Sequence, residues 1–201
     1  MTTTTTRTSR SALAAIGTGA TDRRGLSEHE SRVGEVALVG LRLALGFQFL
    51  WAFLDKLLGW GYATPSDRAW IHGGSPTQGF LSGVSSGPLK GVFTSLVGVA
   101  GVDWLFMAGL LGIGTALLLG VALRPAAASG VLLLAMMWFA TWPPATLVDG
   151  EATHSPNPVV DAHVVSALAL VVLAALAVHN AGPLGRRWAR LPVVRTQPWL
   201  R

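Results

Sequence analysis

Cysteine is absent from the chain, which removes disulfides, thiolate nucleophiles, iron–sulfur clusters and thiol-ligated zinc together. Any redox chemistry must therefore reside in a bound molecule. Charge is scarce as well. Asp, Glu, Lys and Arg make up 12% of the 201 residues while hydrophobic types make up 51%. The mean hydropathy is +0.50. That balance is too apolar for a water-soluble domain of this size, so the bilayer is a partner and lipid is the solvent to reason with. The formal charge of +5 sits largely on arginines flanking apolar runs. It matches anionic lipid headgroups and argues against nucleic acid as a partner.

Four apolar runs stand out: Val33–Leu58, Val102–Leu123, Ala126–Trp142 and Val159–Val178. About 20 residues cross a hydrocarbon core. The third run is short at 17 residues, yet at 1.5 Å per residue it reaches roughly 26 Å and leaves Trp138 and Trp142 in the interface. The expected fold is an all-α membrane protein, a four-transmembrane-helix bundle. Positive residues near helix ends resist export. Arg7, Arg10, Arg23, Arg24 and Arg32 precede the first span, Arg124 links the second and third, and Arg186, Arg187, Arg190, Arg195 and Arg201 follow the last. Both termini are then cytoplasmic, in a multi-pass protein of the plasma membrane. The Thr-rich start is too weakly apolar for a secretory signal. Residues 1–31 read as a disordered cytoplasmic tail, 32–185 as the membrane domain and 186–201 as a basic cytoplasmic tail.

Between the first two spans lies Gly59–Gly101, too long for a plain turn, with Trp60, Trp70, Phe80 and Phe93 spaced through it. It reads as an extracytoplasmic cap lying against the membrane. Leu123-Arg124-Pro125 links spans two and three tightly enough to force an antiparallel hairpin. Ala108, Gly112, Ala116 and Gly120 form a small-residue stripe expected to admit a neighbouring helix. The last outer loop, Pro143–Pro158, carries Asp149, Glu151, His154 and Asn157, and Asp161 and His163 follow at the start of the fourth helix. No internal repeat is visible.

Arg42 lies well inside the first span, where an arginine must pair or reach toward headgroups. Lys56 follows 14 residues later on nearly the same helix face, about 21 Å along the axis. Gly46, Phe49 and Phe53 lie between them, either an aromatic groove for a flat hydrophobic ligand or ordinary bundle core. Gln48 and Asp55 occupy a second face with Trp51, and buried polar groups need partners. For Asp55 the alternatives are a structural ion pair or a site role. Asp161 suits a helix N-terminus, with Asn157 one turn earlier, so capping explains both. His163, inside the apolar run, is the strongest single functional candidate. A haem is not expected, because His179 on the same helix is about 24 Å away. Six tryptophans gather toward one side (Trp51, Trp60, Trp70, Trp104, Trp138 and Trp142) and two toward the other, which fits an aromatic-lined pocket under the cap as well as an interfacial belt.

Three separated motifs carry a family resemblance. The stretch from Leu41 (LRLALGF) to Asp55-Lys56-Leu57, the segment AWIHGGSPTQGF from Ala69 to Phe80, and NPVVDAH from Asn157 to His163 resemble the DoxX/DoxD family of small four-helix membrane proteins, in order and over about residues 32–185. The resemblance implies a prokaryotic plasma membrane and the membrane-bound subunit of a thiosulfate:quinone oxidoreductase. Such an enzyme joins two thiosulfates into tetrathionate and passes two electrons to quinone. It further implies a diffusible quinone, no metal and a small second subunit or soluble redox partner, and it leaves room for a homo-oligomer. On that reading His163, Asp161 and Lys56 are the catalytic candidates. The binding candidates are Arg42, Gln48, Phe49, Trp51, Phe53, Asp55, Arg68, Trp70, His72 and Asn157. Lys56, Arg68 and His72 are the cations available to thiosulfate, and His163 oriented by Asp161 is the proton donor to a quinone. Some relatives are instead non-catalytic membrane partners of soluble redox or sulfur-transfer enzymes, and a small-solute transporter is the third reading.

Overall fold

In a computed structural model, residues 8–84, 87–142, 147–148, 151–152, 157–177 and 181–200 are described. Among the described residues the regular structure is helical apart from a two-residue antiparallel ladder, β1 (Leu147–Val148) with β2 (Glu151–Ala152), in which Leu147 pairs with Ala152 and Val148 with Glu151. Among the described residues three helices are long and apolar enough to cross a membrane: α1 (Thr8–Leu58) from Glu30 onward, α4 (Ala100–Leu119) and α5 (Leu123–Thr141). α6 (Ala162–Ala175) is equally apolar but shorter.

The chain divides into two compact units, Met1–Leu38 and Val39–Arg201. In the first, α1 already runs from Thr8, where the sequence suggested a disordered tail to residue 31. The first proline of the chain is Pro65, so nothing in that stretch forbids helix continuation.

Within the second unit the helices meet through glycines. A side chain at Gly114 would strike the Leu50 backbone nitrogen at 2.7 Å, and one at Gly46 would strike Leu118 at 3.0 Å. α1 and α4 therefore approach almost backbone to backbone. Of the expected stripe Ala108, Gly112, Ala116 and Gly120, the first two are exposed, Ala116 is half-buried and Gly120 is packed against Ala181. The stripe that admits α1 lies further round α4, because period alone does not say which face meets a neighbour. At Gly130 of α5 the space for a Cβ is occupied by Leu170 of α6, with Ile113 of α4 and Phe49 of α1 alongside. Phe49, Met107, Ile113, Leu117, Leu134, Leu170 and Leu173 are all buried around it.

α4 ends in a Schellman motif. Gly120 adopts φ +71°, Gly120 N–H donates to Leu117 O, and Val121 N–H donates to Ala116 O, which satisfies the last carbonyls of the helix. Any side chain at Gly120 would also meet Ala181 O. The turn is thus Gly120–Ala122, with Ala122 left-handed at φ 48°. Leu123, Arg124 and Pro125, expected as the link, form the first turn of α5. The C-terminal segment, α7 (Gly182–Trp188) and α8 (Pro192–Thr196), folds back on this turn, where Arg124 donates to Pro198 O at 2.8 Å.

The connection from Gly59 to Val99 is ordered by short elements: 3-10 turns at Ser66–Arg68 and Trp70–His72, α2 (Gln78–Ser82) and α3 (Lys90–Ser95). Leu81, Val84 and Phe93 from it form a small core with Ala140 near the end of α5.

Candidate functional site

Three acidic side chains at this end of the second unit act as acceptors that tie loops to helices. Asp55, almost fully buried near the end of α1, accepts from the backbone N–H of Tyr62 (3.3 Å) and Ala63 (3.0 Å). Asp103, in the first turn of α4, accepts from the Thr77 amide (3.0 Å), the Thr77 hydroxyl (2.6 Å) and the Ser75 hydroxyl (3.0 Å). Asp161 is the N-cap of α6. Its Oδ1 accepts from the amides of His163 (3.0 Å) and Val164 (3.1 Å), and its Oδ2 lies 2.6 Å from Nδ1 of His163. It thus caps the helix and orients the imidazole at once. Asp161 precedes the helix.

With these latches in place, α1, α4, α5 and the connecting segment enclose an apolar cavity of about 410 Å³. Its roof is Thr77, Phe80 and Phe93, and its floor reaches Ile113 and Ser129. From Val102 to Ile113 that is about 16 Å of helix. Leu105 and Leu132 line it while remaining 76% and 63% exposed, so the cavity has a mouth between α4 and α5. Among the described residues Lys56 is its one charged lining residue. Among the described residues its ammonium makes no hydrogen bond, although Asp55 lies beside it in the chain and supplies a compensating charge. A cation above an apolar slot suits an amphipathic or carbonyl-bearing ligand of membrane-soluble type.

The candidates from the sequence are divided rather than gathered. Lys56 alone of them lines this cavity. Asp161 and Asn157 border a second, smaller pocket with Trp138, Thr141 and Trp142 at the far side of α5. There Asn157 organises the chain by accepting from the Val159 amide at 2.9 Å, and Trp138 donates to Val159 O at 2.8 Å. Half-buried His163 belongs with this second group through Asp161. Arg42 is buried and donates to Leu117 O and, at 3.0 Å, to Leu118 O. It neither reaches toward headgroups nor lines the cavity; it caps the negative end of α4. The groove imagined between Arg42 and Lys56 is filled, since Gly46 and Phe49 are packed into core. Phe53 is half-buried, outside the cavity lining. Trp51 stands in an aromatic cluster with Phe47, Trp60 and Tyr62, Trp70 packs edge-on against Trp104 at 4.6 Å, and Arg68 and His72 are exposed. His72 Nδ1 lies 2.7 Å from Ser66 O. Gln48 is exposed and does not line the cavity. Asp149, His154 and His179 lie outside the described residues.

Sequence reasoning missed Asp103 and Thr77, the latch over the cavity, and the α5 residues Ser129, Met136 and Met137 in its wall. An aspartate in the first turn of an otherwise apolar helix was the available signal. No family model, curated protein or solved structure matches this chain. The DoxX/DoxD resemblance rests on the sequence motifs.

Proposed function

We propose that this chain is a four-span membrane protein of DoxX/DoxD type, with both termini cytoplasmic and the Gly59–Val99 segment as an extracytoplasmic cap. In this reading it binds quinone as the membrane subunit of a redox system that oxidises thiosulfate or a related sulfur compound. The observation that carries the quinone reading is the apolar cavity with Lys56 as its only charge among the described residues and a mouth between α4 and α5. A quinone ring fills such a slot, with one carbonyl accepting from the Lys56 ammonium. The clustering of Arg124, Arg186, Arg187 and Arg190 around the α4–α5 turn and its docked C-terminal segment supports the orientation. Val159–Ala177 supplies the length of a fourth span around α6.

One observation favours a second reading, the non-catalytic anchor for a redox partner. Asp161, which orients His163, borders a different pocket from Lys56, and His163 lines neither, so the proton donor and the quinone slot are apart. A transporter is not favoured, because beneath the cavity Gly46, Gly114 and Gly130 are in contact with Leu118, Leu50 and Leu170.

The test is quinone binding to the full chain in nanodiscs, followed by thiosulfate-dependent reduction of a soluble quinone analogue. Lys56→Met removes a hydrogen bond to a charged donor, about 1.5–3 kcal/mol, and is expected to weaken binding roughly 10- to 150-fold. Unchanged binding in Lys56→Met would overturn the quinone site. Binding without turnover, even with candidate partners added, would select the anchor.

A further inference from the structure

One hydroxyl in the cavity wall has no task inside the protein. The wall that α5 presents is Ser129, Leu132, Leu133, Met136 and Met137, spaced by threes and fours along one helix face. The Ser129 side chain therefore shares the direction of the leucines and methionines. Thr94, Ser95, Thr141 and Thr196 each donate back to a carbonyl of their own helix, the usual recourse of a helical hydroxyl. Exposed Ser129 makes no such bond, nor any other among the described residues. The other hydroxyl in the lining, that of Thr77, is engaged by Asp103. Lys56 and Ser129 are thus the two donors of the described lining that remain unengaged.

The helix contacts fix their relative heights. Gly114 of α4 meets Leu50 of α1, and Gly46 meets Leu118, an antiparallel register. Six residues on from Leu50, Lys56 is level with Ala108. Gly130 of α5 meets Ile113, so Ser129 is level with Gly114. Ala108 and Gly114 are six residues apart, about 9 Å of helix, with Lys56 toward the connecting segment and Ser129 toward the α4–α5 turn. At the height between them Gly109 lines the cavity, with no atom within 4 Å of where a Cβ would stand, so α4 leaves room there for a ring. A flat ring with carbonyls on opposite sides holds its two oxygens about 5 Å apart, and a hydrogen bond at each end brings the donors to about 11 Å. The flexible Lys56 stem adjusts an axial separation of about 9 Å to that span.

We infer that Ser129 is the second anchor of the cavity's ligand: its hydroxyl donates to an acceptor at the inner end of a flat ring whose outer acceptor takes the Lys56 ammonium. This rests on the quinone reading above and narrows it. The ligand is a ring with two opposed carbonyls, as against a fatty acid or a monocarbonyl lipid with one polar end.

The test titrates two probes carrying the same decyl chain, a para-benzoquinone and a cyclohexenone that keeps a single carbonyl, against the full chain in nanodiscs. Ser129→Ala is expected to weaken quinone binding about 2- to 10-fold and to leave cyclohexenone binding unchanged, because its one carbonyl stays with Lys56. Infrared difference spectra tell a contact from a change of shape. Both carbonyl bands of bound quinone are expected at lowered frequency in the wild type, and one returns to its free position in Ser129→Ala. The unfolding midpoint of Ser129→Ala is expected to stay unshifted. Quinone binding weakened by Lys56→Met but indifferent to Ser129→Ala would overturn the second anchor and leave the cavity reading in place. Binding indifferent to both substitutions would remove the cavity reading and the anchor with it. Equal weakening of both probes, or two lowered carbonyl bands persisting without the hydroxyl, would also overturn the anchor.

Discussion

Replacing Asp103 by alanine is expected to release the connecting segment from the top of α4. The carboxylate is buried and accepts from Thr77 twice and Ser75 once. Removing it frees the half-buried Ser75 hydroxyl to find water, but it leaves the buried Thr77 amide and hydroxyl without an acceptor. Hydrogen bonds to a charged group contribute about 1.5–3 kcal/mol each and are not additive, so a local cost of about 2–4 kcal/mol follows, roughly a 30- to 1,000-fold rise in the opening equilibrium. Hydrogen exchange reads this directly, because Leu81 N–H donates to Thr77 O and exchanges only when the segment opens. Exchange across 77–84 should accelerate by that factor in Asp103→Ala, and less in Asp103→Asn, which keeps an oxygen in place. The α5 segment 123–134 serves as internal control. Acceleration of less than about threefold in Asp103→Ala would refute the latch, since that corresponds to under 1 kcal/mol.

Three further outcomes are expected. Arg42→Met keeps most of the stem volume but withdraws the donor from Leu117 and Leu118 carbonyls, lowering stability by about 1–3 kcal/mol; an unchanged unfolding midpoint in detergent would contradict the capping role. Gly114→Val drives a side chain into the Leu50 backbone and should cost about 1–3 kcal/mol, whereas Gly112→Val, in open space, should stay within about 0.5 kcal/mol; equal effects would show that α1 and α4 do not meet at Gly114. Asp161→Ala removes the α6 cap, about 0.5–2 kcal/mol, and should speed exchange at His163 and Val164. Unchanged exchange at those two amides in Asp161→Ala would contradict the capping assignment.

Element positions were legible because apolar runs bounded by arginine and tryptophan leave few alternatives. α1 ends at Leu58 as the sequence suggested, and α4 and α5 begin two or three residues earlier than expected, within ordinary boundary uncertainty. Which face of each helix meets which neighbour was not legible. Gly114 and Gly112 are both small residues in one helix, and only the partner decides that the first is in contact and the second is free. The same blindness affected polar groups. Arg42, Gln48 and Asp55 look alike as polar interruptions of one span, yet they cap a helix, face outward and hold a turn respectively. Asp55 and Asp103, too, are consumed internally by backbone and hydroxyl donors.

α5 is a partition between two chambers. Met136 and Met137 face the larger one and Trp138, Thr141 and Trp142 the smaller; successive helical residues diverge by about 100°. A rotation of this helix about its own axis therefore withdraws side chains from one side as it advances them on the other. A substitution that turned α5 would therefore register at both pockets, at the methionines of one and the tryptophans of the other.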